Sequence, residues 1–353
     1  MAVTQESAAK AETSRSTRAN PLRHMLVRPE TGAVAGAIAV WIFFALVAGD
    51  HGFLSLLGTS NYLSVAAELT IVAVPVALLM IGGEFDLSVG SVVGATGMII
   101  AILTTKYNWN IWAAIMVALL FAAAIGCING LLVLRTRLPS FIVTLGTSYI
   151  LLGTTTGLTV LLTKLTQVGW VLQFPVGYSA AHSIFATQIK INSVGFHVEI
   201  FWALGVVALA TWLLLATPFG NWIFGVGGDA NAARNIGVPV ARVKILLFVG
   251  TALSACLLAI IQVLTFSGAD VLRGQGKEFE AIVAAVVGGV LLAGGYGSAI
   301  GALFGALIFG IVEEGIVFAQ VDANWYKAFI GIILLLAVLL NTYVRKLARE
   351  ARR

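Results

Sequence analysis

The sequence predicts an all-α, polytopic membrane protein with about ten transmembrane helices, and three observations lead there. The 353-residue chain is 59% hydrophobic with a mean hydropathy of +0.98. Only 10% of its residues are charged, against about a quarter in a soluble domain. Its apolar residues fall in continuous runs long enough to cross a bilayer, and these are broken by short polar segments. Barrel strands would alternate apolar and polar residues over about ten positions, which these runs do not.

Residues 1–30 are rich in Ser, Thr, Ala and Arg and lack an apolar stretch that could pack a core, so they read as a disordered cytoplasmic tail. The first apolar run lies too far from the start for a cleaved signal segment. Residues 31–353 read as one transmembrane domain. Its spans are expected over 33–49, 64–81, 88–104, 111–134, 141–162, 200–216, 244–266, 281–293, 299–318 and 328–344, the eighth being the weakest.

Basic residues orient the chain, because Lys and Arg stay preferentially in the cytoplasm. With the N-terminus inside, that side holds the tail residues, Arg135, Arg137, Arg234, Arg242, Lys244 and the five from Arg345 onward. The other side keeps only Lys106, Lys164, Lys190, Arg273, Lys277 and Lys327. Both termini are therefore expected in the cytoplasm. The basic balance is a property of a membrane protein and calls for no nucleic-acid partner.

Several chemistries are absent. No G-x-x-x-x-G-K-[ST] loop occurs, so if ATP drives transport the nucleotide binds another chain. "GVGGDA" at 225–230 matches a dinucleotide pattern but follows a membrane span rather than a strand. Four scattered histidines have neither metal-ligand spacing nor a nucleophile partner, so no metal, cofactor or catalytic group is expected. Cys127 and Cys256 sit in apolar runs as packing residues.

Two glycine-rich segments look alike, "IGGEFDLSVGSVVG" at 81–94 and "AGGYGSAIGALFG" at 293–305. In each, a Gly-Gly pair allows a tight reversal, and a Gly-x-x-x-Gly pair follows, Gly90 with Gly94 and Gly301 with Gly305. Such pairs are expected to face other helices, since helices associate in lipid through close backbone packing. Asp86 is expected to accept amide protons at the start of the third span. Glu84 has no such role. It reads as a solvated loop residue, or else Glu84 or Asp86 sits at the inner mouth of a translocation path or pairs with a basic residue of a partner. Glu68, placed in the outer half of the second span, and Glu313-Glu314 near the outer end of the ninth are further path candidates, alternatively held by helix–helix hydrogen bonds.

The inner loop at 218–243 is expected to carry a short helix over 231–236, capped by Asp229 and ended by Gly237 in a left-handed conformation. Too short to be stable alone, it should be ordered by docking on a partner. Asn231, Ala232, Ala233, Arg234 and Ile236 would form the contact, with the alanines allowing close approach. A solvated basic loop is the alternative. The outer loop at 163–199 carries Trp170, Phe174, Tyr178, Phe185 and Phe196, read either as a docking surface or as an interfacial aromatic belt.

The motifs "DLSVGS" at 86–91, "LPSFIVTLGT" at 138–147, "FGNWIFGVGGDANAARNIGVPVARVK" at 219–244 and "EAIVAAVVGGVLLAGGYGSAIGALFGALIFGIV" at 280–312 resemble the permease subunits of bacterial ABC importers for monosaccharides, the ribose, xylose and galactose type. The resemblance covers 34–347. It implies a multi-pass protein of the bacterial inner membrane, not itself an enzyme. The implied partners are a second permease subunit, two cytoplasmic ATP-binding subunits, a periplasmic sugar-binding protein and membrane lipid. Glu313-Glu314 stand where many members carry asparagines, a departure that sets the family's commonest substrates against polyols, modified sugars or a signalling carbohydrate. The alternatives are an ABC permease for branched-chain amino acids or nucleosides, and an ion-coupled secondary transporter. The latter would place carboxylates at mid-membrane beside broken helices, whereas these are expected near span ends.

Overall fold

The computed structural model describes residues 29–170, 174–333 and 335–336. The tail at 1–28 and most of the tenth expected span lie outside the described residues. The helices are α1 (Pro29–Ala48), α2 (Leu56–Ile81), α3 (Val89–Thr105), α4 (Ile111–Thr136), α5 (Ser140–Thr163), α6 (Tyr178–Phe185), α7 (Glu199–Ala216), α8 (Pro218–Gly228), α9 (Ala230–Asn235), α10 (Val240–Thr265), α11 (Lys277–Val287) and α12 (Ala299–Phe318). Residues 326–333 are again helical.

Among the described residues, α1, α2, α4, α5, α7, α10 and α12 are long and apolar enough to cross a membrane, and α3 is a shorter apolar helix. At 17 residues α3 extends about 25 Å, short of the ~30 Å hydrocarbon core. The eighth expected span, 281–293, is corrected: α11 has 11 residues, about 16 Å, and glycine-rich irregular backbone follows it. Gly288 and Gly289 end it because they cost helix stability and a left-handed turn follows at Gly289, φ 89°.

The core is built round α2 and α10, whose apolar windows are the most covered of the seven. α2 packs on α12, α7, α11 and α10, while α10 packs on α4 and α3. α1 lies on the outside against α12. α5 touches mainly α3, and only 11% of its apolar window is buried.

Two small antiparallel sheets accompany the helices, which the sequence did not foretell. β1 (Gln167–Gly169) pairs with β4 (Gly268–Asp270), placing Val168 opposite Ala269. β2 (Gln188–Ile191) pairs with β3 (Val194–His197). Three- and four-residue strands carry too little alternation to be read locally. The aromatics near these sheets mostly face one another: Phe174 stacks on Tyr178, Phe185 stacks on Trp202, and Trp170 donates to Thr104 Oγ1 (3.1 Å).

Candidate functional site

After Ile81 the chain does not stay at the surface. Gly83 (φ 84°) turns it, and 84–88 climbs back among α4, α5 and α10. Phe85 N–H donates to Ser140 Oγ (2.9 Å) and Leu87 N–H to Thr144 Oγ1 (3.0 Å), so hydroxyls of α5 satisfy backbone that has no ladder partner. Asp86 is 1% exposed. One carboxylate oxygen accepts from Ser88 N–H (2.9 Å) and its hydroxyl (2.6 Å), the other from the Thr251 hydroxyl (2.7 Å). Thr251 stands about 16 Å along α10 from Val240, which sets the depth of α3's first turn. Asn129 of α4 closes the network, donating to Ser88 Oγ (2.9 Å) and accepting from Thr147 Oγ1 (2.7 Å).

Asp86 accepts the amide proton of Ser88, the first residue of the expected third span and the residue that precedes α3. The reading of Glu84 is corrected. Glu84 is 7% exposed and forms an ion pair with Lys244 of α10, so it is neither a solvated loop residue nor free for a partner's base. A buried carboxylate needs such a counter-charge.

A second charged group surrounds the start of α11. Lys277 pairs with Glu280 (2.8 Å) and lies in electrostatic reach of both Glu68 and Glu313. Glu68 accepts from Gln262 Nε2 of α10 (2.7 Å), and Glu314 accepts from Asn61 Nδ2 of α2 (3.3 Å). The placement of Glu68 in an outer half is corrected. Ser55 caps α2 through Gly58 N–H (3.0 Å), so the helix starts eight residues before the expected boundary and Glu68 sits halfway along its 26 residues. Outside the spans, burial holds the His197 imidazole below its ordinary pKa against the opposing field of Glu68, and burial likewise lowers the Arg273 guanidinium. Glu68, Glu313 and Lys277 thus share one polar neighbourhood, distinct from that of Glu84 and Asp86.

These positions also remove the argument against ion coupling that rested on carboxylates near span ends. Glu68 is at mid-helix, and Asp86 adjoins a helix that begins inside the bundle. Among the described residues no group of three His, Cys, Asp or Glu side chains could hold a metal ion. At the end of the bundle that carries β1 and β4, an open cavity of about 770 Å³ is lined by Lys106, Gln167, Trp170, Ser267 and Arg273 among others.

The glycine pairs pack differently from one another. A Cβ at Gly301 or Gly305 would run into the carbonyls of Gly288 and Ala284 on α11, helix against helix. Gly94 instead faces the carbonyl of Val271 in non-helical chain, which corrects the expectation of a facing helix there, while Gly90 faces both the Gly274 carbonyl and the Glu278 carboxylate in the first turn of α11. Backbone without a helical partner presents its carbonyls sideways, and only a residue without Cβ admits them.

Residues 218–243 form α8, α9 and the first turn of α10. α9 spans Ala230–Asn235, with Asp229 Oδ1 accepting from Asn231 N–H (2.8 Å) and Ala232 N–H (3.0 Å), and Gly237 is left-handed at φ 90°. Asn231, Ala232, Arg234 and Ile236 are exposed, Ile236 by 82%. Ala233 is corrected: it is 4% exposed and faces Gly225 of α8, so it anchors α9 to its own chain.

Sequence reading missed Lys244, Thr251, Asn129, Gln262, Lys277 and Glu280. Gln262 inside an apolar run and the Lys277–Glu280 spacing were available signals; Thr251 and Asn129 had none, since a hydroxyl or amide in a span is unremarkable without its partner.

A family profile and a set of curated relatives place the chain among known proteins. The family profile described as "Branched-chain amino acid transport system / permease component" matches residues 58–338. The ribose import permease protein RbsC of Escherichia coli (strain K12) is 32% identical over 306 residues, 86% of this chain and 92% of that protein. The fructose import permease protein FrcC of Rhizobium meliloti is 30% identical over 87% of this chain and 83% of its own. The xylose transport system permease protein XylH of Escherichia coli (strain K12) is 31% identical over 89% and 91%. No solved structure matches. With a profile covering most of its length and relatives of this identity, the chain belongs to the permease-component family of ABC transport systems.

Proposed function

We propose that this chain is the membrane-spanning subunit of an ATP-driven importer that carries a small sugar or sugar-like solute, delivered by a periplasmic binding protein, across the bacterial inner membrane. The observation that carries the reading is identity along nearly the whole chain to permeases that import ribose, fructose and xylose. In this reading the chain crosses the membrane ten times with both termini cytoplasmic, the eighth crossing being made by the short helix α11 together with the glycine-rich irregular chain after it, and a second permease subunit covers the exposed face of α5. Each of two ATP-binding subunits docks on one permease through the exposed face of α9 in the 218–243 loop, where Arg234 offers a charge and Ile236 an apolar anchor. Glu68, Gln262, Lys277, Glu280 and Glu313 supply donors and acceptors that suit the hydroxyls of a sugar. Glu84, paired with Lys244, and Asp86, bonded to Ser88 and Thr251, hold the inner end of that path in shape rather than touching the solute.

The test is purification of the tagged chain from its native membrane in mild detergent. An ATP-binding subunit should accompany it, and the separate binding protein should carry a sugar identifiable by mass spectrometry. Purification with no ATP-binding chain would contradict the reading.

A further inference from the structure

Three glycine pairs distant in sequence meet at one point. Gly82-Gly83 ends α2, Gly227-Gly228 ends α8, and Gly294-Gly295 turns the chain between α11 and α12. Gly295 N–H donates to Ile81 O (2.8 Å). A Cβ at Gly227 would collide with that same Ile81 carbonyl and come within 2.7 Å of Gly295 N. One at Gly294 would lie 2.7 Å from Gly227 O and 2.9 Å from Gly83 Cα, and one at Gly295 2.9 Å from Gly228 Cα. Gly83, Gly294 and Gly295 have φ of 84°, 80° and 73°, so side chains are excluded by conformation as well as by space. The contact is backbone on backbone.

Each pair leads directly to an element of the site. Gly228 precedes Asp229, which caps α9. Gly83 precedes Glu84, paired with Lys244, and Asp86, bonded to Thr251. Gly294-Gly295 follow α11, whose other end carries Lys277 and Glu280. Side chains can change rotamer to absorb a displacement, but close-packed backbone passes it on.

We infer that this glycine junction is the linkage through which movement of α9 reaches both charged neighbourhoods at once, shifting the 82–88 segment and the turn at 288–297 together. Gly227 and its contacts are positioning residues: they touch no solute and act through the elements they join. The inference rests on the importer reading and deepens it.

Two measurements on the complex with its ATP-binding and solute-binding partners test it. In the wild-type complex, ATP binding should change amide hydrogen exchange in 227–235, 79–84 and 291–297 together. A change in 227–235 with the other two segments unaltered overturns the linkage. Gly227→Ala is compared with Gly228→Ala, whose Cβ meets nothing within 4 Å. Gly228→Ala should behave as wild type. Gly227→Ala should keep basal hydrolysis while the ratio of solute-stimulated to basal hydrolysis falls to unity. An assembled Gly227→Ala complex with wild-type stimulation overturns the inference, and if that variant does not assemble, the wild-type exchange pattern decides. Absence of solute-stimulated hydrolysis in the wild-type complex would count against the importer reading instead.

Discussion

Glu84 and Lys244 lie 160 residues apart in the chain and are bonded to each other, their side chains 9% and 18% exposed. The pair is best tested by leaving one charge alone. Lys244→Met strands the Glu84 carboxylate and should cost about 2–3 kcal/mol, less than the roughly 3–5 kcal/mol of a fully buried pair because the lysine is partly wetted. The double variant Glu84→Gln with Lys244→Met should recover most of that loss. Denaturant titration of the detergent-solubilised protein reads both values, and a double variant as unstable as the sum of the singles would contradict the pairing. At this scale the sequence was a partial guide. The carboxylates Glu68, Glu84, Asp86, Glu313 and Glu314 stand out in a chain where 10% of residues are charged, so their importance was legible. Their partners were not, because Lys244, Thr251 and Gln262 become partners only when α10 packs against the 82–88 segment and α2.

At the scale of the element, apolar periodicity and length set most helices to within a few residues, as with 141–162 against Ser140–Thr163. Failure came where local composition and tertiary placement disagree. Residues 82–88 are polar and glycine-rich, which reads as a surface loop, yet hydroxyls of Ser140, Thr144 and Thr251 satisfy their backbone and carboxylate groups inside the bundle. α11 failed for the converse reason: an apolar stretch reads as a span although glycines stop the helix halfway. The glycine contacts lead to a graded prediction. Gly90→Leu and Gly301→Leu should sharply reduce the folded, membrane-inserted protein, while Gly157→Leu, which opens on empty space, should leave its level unchanged. Equal yields in fluorescence-detected size exclusion would remove the packing argument. For α9, Arg234→Glu and Ile236→Asp alter exposed side chains, so the protein should be made in normal amounts while solute-stimulated ATP hydrolysis drops several-fold. Ala233→Trp would instead damage folding, since that alanine packs on α8.

For the whole molecule, topology is the claim on which the placement of partners depends. Basic residues cluster on the side that holds Arg135, Arg234 and Lys244, and the ends of α2, α4 and α7 lie at that end of the bundle. Single cysteines at 188–196 should react with an impermeant maleimide applied to spheroplasts, whereas those at 229–237 should react only after permeabilisation. The reverse pattern would invert the orientation and put α9 out of reach of a cytoplasmic ATPase.

The central claim is that this chain moves sugar by ATP hydrolysis on another subunit, and uptake by proteoliposomes tests it most directly. The complex, reconstituted with its ATP-binding subunits inside and its solute-loaded binding protein outside, should accumulate labelled sugar only when ATP is enclosed. Omitting the binding protein or using a hydrolysis-dead ATP-binding subunit should abolish uptake. Accumulation that proceeds without ATP and follows an imposed proton or sodium gradient would contradict the account.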